Sequence, residues 1–187
     1  MNTINKNPER IYFDLETQKT AKEVGGWSNI DCMKLAVAVT YSTADRQYTT
    51  FLEADVEALI DQFRRANLII GFNIKAFDYV VLAPYTSATL WQLPTFDMLE
   101  QVRRTLGFRV SLDALAKATL RESKSADGLQ SVRWWNAGKV DLVAKYCRTD
   151  VELTKRLHEY ACRNGYLLFT DRSGRSRHVD TTDWRTI

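Results

Sequence analysis

The 187-residue sequence contains little cysteine, proline or glycine, with three, three and eight residues of each. So few prolines and glycines argue against a linker-rich or repetitive chain, and three cysteines without metal-ligand spacing indicate a reducing, intracellular setting. No apolar run reaches the roughly 18 residues that a transmembrane helix needs, and the first residues lack the layout of a secretory signal. We therefore expect a cytoplasmic protein with no membrane contact.

An excess of charge of one sign is also missing. The sequence has 26 basic and 23 acidic residues, and this net charge of +3 is too small to indicate a polyanionic partner by itself. With 45% hydrophobic and 26% charged residues, the composition is typical of globular proteins and excludes a disordered tail, a collagen-like rod and a coiled coil. The length predicts one domain over residues 1–187, with a core over about 9–165.

The first part of the sequence has the pattern of β-strands. Residues 9–16, 34–42 and 47–52 are rich in aromatic and β-branched residues and are separated by polar turns, so they predict an antiparallel meander. Helical periodicity begins near residue 54 and then alternates with two short apolar strands. The sequence therefore predicts an α/β fold with a mixed five-stranded sheet and helices on both faces.

The second half is predicted to be mainly helical. A helix is expected over residues 74–85, a polar loop over 121–138 and the longest helix over about 139–163. The tail, about 166–181, has the pattern of a β-hairpin.

Two carboxylates lie on one face of the first strand. Because side chains alternate along a strand, Asp14 and Glu16 share the face opposite Phe13. If both were buried without partners, they would repel each other and lose hydration. The alternative is an edge strand whose polar face is solvated.

Two further acids interrupt apolar helical stripes. Asp150 shares its stripe with Tyr146 and Leu153, and Asp78 shares its face with Val81. A buried salt bridge to arginine would explain one such acid. Four acids without matching inward basic residues favour divalent cations, which bind oxygen ligands.

These residues form three short motifs in a fixed order. They are Asp14-x-Glu16, Asn73-x-x-x-Phe77-Asp78 and Tyr146-x-x-x-Asp150. Together they resemble the three exonuclease motifs of the DEDD superfamily of 3′–5′ exonucleases, in its tyrosine-bearing (DEDDy) branch. That superfamily has a ribonuclease H-like fold and includes the proofreading domains of DNA polymerases. The resemblance covers roughly residues 10–163.

The resemblance implies a two-metal mechanism. Asp14, Glu16 and Asp150 would bind one Mg²⁺ or Mn²⁺, Asp14 would bridge to a second ion, and Asp78 would reach that ion directly or through water. Tyr146 would orient the attacking water, because a phenol with a pKa near 10 is a poor general base.

The expected substrate is the 3′ end of single-stranded DNA or RNA, and a polymerase or helicase on another polypeptide is a possible partner. Residues 101–139 carry eight basic and three acidic residues, which suits phosphate contacts. The candidate substrate-binding residues are Thr17, Asn73, Phe77, Lys124 and Trp134. For Phe77 and Trp134 the alternative is core packing.

Other functions remain as alternatives. A catalytically weak or dead binding module, or an endonuclease, would share the same fold. A haloacid-dehalogenase-like phosphatase is disfavoured, because Glu16 occupies the position at which that family has a second aspartate.

Overall fold

The computed structural model describes residues 8–123 and 127–186. A five-stranded sheet is built from β1 (Arg10–Thr17), β2 (Leu35–Ser42), β3 (Gln47–Leu52), β4 (Leu68–Gly71) and β5 (Thr95–Asp97). The strand order is β3-β2-β1-β4-β5. β1 to β3 are antiparallel, and β4 pairs in parallel with β1 and with β5. The predicted mixed sheet is confirmed, and because β1 is central, the edge-strand alternative for Asp14 and Glu16 is wrong.

Helices follow the first three strands. They are α1 (Val56–Arg65), α2 (Asp78–Leu82), α3 (Met98–Leu106), α4 (Leu112–Leu120), α5 (Gly128–Asn136) and α6 (Val140–Asn164). Short 3₁₀ segments occur at Trp27–Cys32, Glu53–Asp55, Ala83–Tyr85, Leu90–Gln92 and Thr182–Thr186. In residues 8–123 and 127–186, no helix is both long and apolar enough to span a bilayer.

Two separate cores cover the two faces of the sheet. Alternation along β1 directs Ile11, Phe13 and Leu15 into a core with α1 and α2. Tyr12 points to the other face, where apolar residues of α3, α4 and α6 pack. The prediction of helices on both faces is therefore confirmed. The longest helix, α6, lies against β1 and β2, so residues on its buried side approach the polar face of β1.

The C-terminal hairpin consists of β6 (Tyr166–Thr170) and β7 (Ser176–Asp180), as the sequence predicts. Its first strand is fixed to α4 by two hydrogen bonds. The backbone N–H of Leu168 donates to Thr119 Oγ1 at 2.9 Å, and the Thr119 hydroxyl donates to the Leu168 carbonyl at 3.2 Å. The hairpin is thus attached to the helical layer beside the sheet.

Two elements differ from the sequence prediction. The loop expected over 121–138 contains a helix, α5, which is capped by the Asp127 carboxylate accepting from Gln130 N–H at 2.8 Å. Tertiary packing also stabilises α5, because the Trp134 ring contacts the Tyr146 ring edge to face at a centroid distance of 6.3 Å. The helix expected over 74–85 is shorter, because an irregular turn with Asn73 at φ +69° precedes α2.

Candidate active site

Three carboxylates from two elements meet on the α6 side of the sheet. Asp14 and Glu16 project from β1, Asp150 projects from α6, and one oxygen of each lies within 4.8 Å of the others. Glu16 is only 8% exposed and Asp150 only 2%. We call Asp14, Glu16 and Asp150 the acidic cluster. Negative charges this close repel each other in a poorly solvated site, and an all-oxygen ligand set is what Mg²⁺ or Mn²⁺ prefers.

Asp78 lies in the same cleft, on the opposite side from α6. It is the first residue of α2, is 3% exposed, and its Oδ1 accepts a hydrogen bond from Leu15 N–H at 3.1 Å. Burial raises the pKa of the Asp78 carboxyl well above its usual range, and the charge of Asp14 raises it further. Among the described residues, the 4.8 Å grouping contains the acidic cluster and not Asp78. The structure therefore brings all four predicted acids to one cleft but leaves Asp78 at its side.

Tyr146 lies one helical turn before Asp150, where it lines this cleft. Burial raises the pKa of its phenol, and the negative charges of Asp150, Glu16 and Asp14 raise it further. The Tyr146 hydroxyl is thus protonated at neutral pH and is unsuited to act as a base. It can still hold a water molecule in place by hydrogen bonding.

Cys147 packs directly beneath β1. Its thiol donates to the Asp14 carbonyl at 3.2 Å and lies 3.7 Å from Asp14 Oδ2. Burial raises the pKa of this thiol well above its ordinary value, and the Asp14 carboxylate adds to the effect. A neutral, buried thiol is a poor nucleophile, so Cys147 supports the Asp14 backbone rather than reacting.

The cleft that contains all four acids, which we call the catalytic cleft for its candidate role, has a volume of about 750 Å³ and is lined by both acidic and apolar residues. Thr17 lies in its wall, with the hydroxyl donating to the Lys19 carbonyl at 2.9 Å. Two apolar side chains at its rim are strongly exposed, Trp27 at 71% and Leu129 at 57%. Neither was predicted from the sequence as a site residue. A tryptophan directly after Gly25-Gly26 in a polar loop was the available signal for an exposed contact residue.

The turn before α2 is organised by a carboxylate that was also not predicted from the sequence. Asp97, at the end of β5, accepts from the backbone N–H of Asn73 at 2.8 Å and of Lys75 at 3.0 Å. Asn73 Oδ1 in turn accepts from Arg109 at 3.1 Å. The position of Asp97, between a short strand and the start of α3, is a sequence signal for a helix cap.

The other candidate substrate-binding residues have different positions. Phe77 lines the catalytic cleft, packs partly into the core and lies 6.4 Å from the Trp27 ring. Trp134 is half-buried behind Tyr146 and is not among the described residues that line the cleft. Lys124 lies outside the described residues. The structure thus places Thr17, Asn73 and Phe77 beside the acids, and Trp134 in a packing position.

A second cleft of about 720 Å³ adjoins the catalytic cleft. Asp14, Asn73 and Tyr146 line both clefts. The adjoining cleft is also lined by Arg109 and Lys117, and the Lys117 ammonium lies 2.6 Å from Asp113 Oδ2. The adjoining cleft thus carries two basic side chains together with the carboxylates of Asp113 and Asp127.

Comparisons with known proteins agree with this architecture. A family model described as the RNase_H superfamily matches residues 11–162. Among solved structures, the chain is similar to a family B DNA polymerase from the hyperthermophilic archaeon Pyrobaculum calidifontis, with a TM-score of 0.63 and 14% sequence identity. The match covers 83% of this chain and 24% of the polymerase chain, and identity this low shows similarity of fold alone. A search of curated proteins finds no match. The expected ribonuclease H-like fold is confirmed.

Proposed function

We propose, from the premise that the chain belongs to the RNase H superfamily, that it is a metal-dependent 3′–5′ exonuclease acting on single-stranded DNA or RNA. The observation that carries the proposal is the acidic cluster, whose carboxylate oxygens lie within 4.8 Å of one another beside Asp78 and Tyr146. The three motifs resemble those of DEDDy exonucleases, which include polymerase proofreading domains, and the solved structure described above is a DNA polymerase.

The residues of the acidic cluster fit a divalent cation. All three donors are carboxylates, two of them are almost fully buried, and their mutual repulsion is relieved when a cation binds between them. Two bound Mg²⁺ or Mn²⁺ ions would lower the pKa of the attacking water and neutralise negative charge on the phosphate. Since all four acids are retained, the chain favours an active enzyme over a dead binding module.

The protein residues would act by binding and orientation. Asp14, Glu16 and Asp150 would hold one ion, and Asp78 would help to hold a second, while Leu15 N–H donates to one of the Asp78 oxygens. The protonated hydroxyl of Tyr146 orients the attacking water toward the phosphorus atom.

The 3′-terminal nucleotide would lie in the catalytic cleft. Thr17 contacts the sugar, and the rings of Phe77 and Trp27 offer an apolar surface to the base. Asn73, whose Oδ1 accepts a hydrogen bond from Arg109, contacts the terminal nucleotide at the edge of the cleft. Thr17, Asn73 and Phe77 support this arrangement because all three line the cleft.

End-labelled oligonucleotides test the proposal directly. A single-stranded oligomer with a 5′ label should give a ladder of successively shorter products with Mn²⁺ or Mg²⁺, and a 3′ label should be released as a mononucleotide. EDTA should stop both reactions. Internal fragments from both labels would indicate an endonuclease, and intact oligomers with either metal would indicate an inert binding module.

Tyr146→Phe tests the role of the phenol separately from metal binding. We expect turnover to fall roughly 10²-fold, the cost of a misplaced reactant. Thermal stabilisation by Mn²⁺ should persist, because the hydroxyl is assigned to water rather than to metal. Loss of the metal-induced shift in this variant would contradict the assigned role.

A further inference from the structure

A groove of about 820 Å³ lies between the C-terminal hairpin and the loop that joins α3 to α4. Its main lining residues are Phe108, Arg109, Ser111, Phe169, Arg172 and Arg175. We call it the hairpin groove. We propose that it binds the part of a single-stranded nucleic acid that lies 5′ of the nucleotide being removed. This inference rests on the function proposed above.

The hairpin groove borders the cleft that adjoins the acidic cluster. Arg109, Val110 and Ser111 line both the hairpin groove and the adjoining cleft, and Asp14 and Tyr146 line that same cleft. A strand whose 3′ end lies at the acidic cluster would pass Arg109, Val110 and Ser111 to reach the hairpin groove.

The charge of the hairpin groove suits a polyanion. Arg109, Arg172 and Arg175 line it, against one carboxylate, Asp171. In the described part of the chain, neither Arg109 nor Arg172 forms an ion pair with a carboxylate. Guanidinium groups of this kind bind phosphate oxygens in a bidentate manner.

Asp171 has a structural role within the hairpin turn. Its Oδ1 accepts from the backbone N–H of Ser173 at 2.9 Å and of Arg175 at 3.0 Å, and its Oδ2 accepts from Arg177 at 2.8 Å. The carboxylate thereby folds the turn that carries Arg172 and Arg175, and its charge is engaged by hydrogen bonds within the turn.

Phe108 supplies an aromatic surface in the hairpin groove. Gly107 ends α3 in the left-handed conformation at φ +79°, and the next residue, Phe108, is 50% exposed. Its ring contacts Phe169 of β6 edge to face at a centroid distance of 5.8 Å, which fixes its position. Single-strand binders combine such a ring, on which a base stacks, with arginines along the backbone path.

The hairpin side of the groove, which faces the loop carrying Phe108, is fixed in position. The two hydrogen bonds between Thr119 and Leu168 attach β6 to α4, so the separation between the hairpin and the helical layer is fixed. A preformed groove of this kind binds a flexible strand at a smaller entropic cost than a mobile loop does.

Length-dependent binding tests the proposal. The affinities of 5′-fluorescein-labelled dT3 and dT12 are measured by anisotropy in EDTA, where hydrolysis is absent. Wild-type protein should bind dT12 at least about tenfold more tightly than dT3, because only dT12 reaches the hairpin groove. Phe108→Leu should weaken dT12 binding roughly 5- to 150-fold, the range for loss of one stacked base, and leave dT3 binding unchanged. Phe108→Tyr should retain tight binding.

Arg172→Ala should reduce the salt dependence of dT12 binding by about 0.7 in log–log slope, the value for one phosphate contact on a single strand. Arg64→Ala, on the exposed side of α1, is the matched control and should behave as wild type. Hydrolysis of the p-nitrophenyl ester of thymidine 5′-monophosphate with Mn²⁺ reports the acidic cluster alone and should be unchanged in Phe108→Leu and Arg172→Ala.

Equal affinities for dT3 and dT12, or wild-type binding of dT12 by both variants, would overturn the proposal while leaving the proposed activity intact. Competition by polyglutamate as strong as that by unlabelled dT12 would also overturn it, since the groove would then be a general anion site. Failure of wild-type protein to hydrolyse any substrate would instead count against the proposed function. In that case length-dependent binding that is lost in Phe108→Leu would still support a nucleic-acid groove.

Discussion

The Asp97 carboxylate and the carboxylates of the acidic cluster lie at the same edge of the sheet, and their surroundings differ. Asp97, at the end of β5, accepts from the backbone N–H groups of Asn73, Lys75, Leu99 and Glu100. The acidic cluster, at the end of β1 and on α6, instead places three carboxylates within 4.8 Å of one another. Burial alone therefore does not identify a functional acid. An acid surrounded by amide donors organises structure, whereas acids surrounded by like charges are suited to bind a cation.

The largest expected difference between Asp97 and the acidic cluster is in catalysis. Asp150→Asn removes one charge from the acidic cluster at nearly constant volume, and we expect hydrolysis to fall at least roughly 10²- to 10³-fold, as when a group that stabilises transition-state charge is removed. Stability without metal should stay the same or rise, because repulsion within the cluster decreases. Urea unfolding in EDTA provides the measurement. A large loss of stability would indicate that Asp150 forms a structural salt bridge.

Stabilisation by metal is the next largest difference that we expect between Asp97 and the acidic cluster. At a Mn²⁺ concentration 100 times its dissociation constant, a ligand that binds only the folded protein adds about 2.7 kcal/mol to the free energy of unfolding. We expect this gain in wild-type protein and in Asp97→Asn, and its loss in Asp150→Asn. Thermal unfolding with increasing Mn²⁺ checks all three proteins. An equal gain in the free energy of unfolding in Asp150→Asn would contradict metal binding at the acidic cluster.

The same substitution at Asp97 should act on stability instead. Asp97→Asn replaces an acceptor oxygen with an amide donor that faces backbone N–H groups, and loss of a hydrogen bond to a charged acceptor costs about 1.5–3 kcal/mol. Because Asn73 and Lys75 would lose their anchor, the turn before α2 should loosen. Urea unfolding without metal measures the loss. Wild-type stability in this variant would show that the amide donors find other partners.

The main features of the site could be predicted because they depend on local periodicity. Alternation along β1 fixes Asp14 and Glu16 on one face, and helical periodicity fixes Asp150 on the buried side of α6. The helix α5 was missed even though Asp127 followed by Gln130 is a helix-start pattern. The segment 121–138, in which α5 lies, is mainly polar and therefore indicated a loop. The packing of α5 against α6 cannot be deduced from periodicity.

Asp97, Trp27 and Phe108 were missed for a different reason. The role of each depends on residues distant in sequence: Asp97 on the turn before α2, Trp27 on Phe77 and Phe108 on the C-terminal hairpin. A single sequence specifies which face of an element is buried, but not which loops become neighbours when the elements pack.

His158 is a buried titratable group on α6 that can be compared with the buried acids, because burial keeps its side chain uncharged. It lies two turns after Asp150 on α6, where its Nδ1 is 3.0 Å from the Tyr12 hydroxyl and its ring stacks on Trp184. Burial lowers the pKa of the imidazole from 6.5 to about 4, and the Arg10 charge adds to this shift. Since the unfolded chain binds the proton at higher pH than the folded protein does, stability should fall as the pH drops below 6.5.

We expect His158 to remove about 1 kcal/mol of stability between pH 7 and pH 5.5. The loss should continue until the pH reaches the folded-state pKa. Urea unfolding at both pH values gives the change in the free energy of unfolding for wild-type protein and for His158→Phe, and the difference between the two changes is the contribution of His158. The matched control is His178→Phe, on the exposed strand β7. An NMR titration of the imidazole resonances in folded wild-type protein provides a check that does not depend on the variant. A His158 resonance that titrates near pH 6.5 would contradict the prediction, and would mean that water reaches α6 well beyond the acidic cluster.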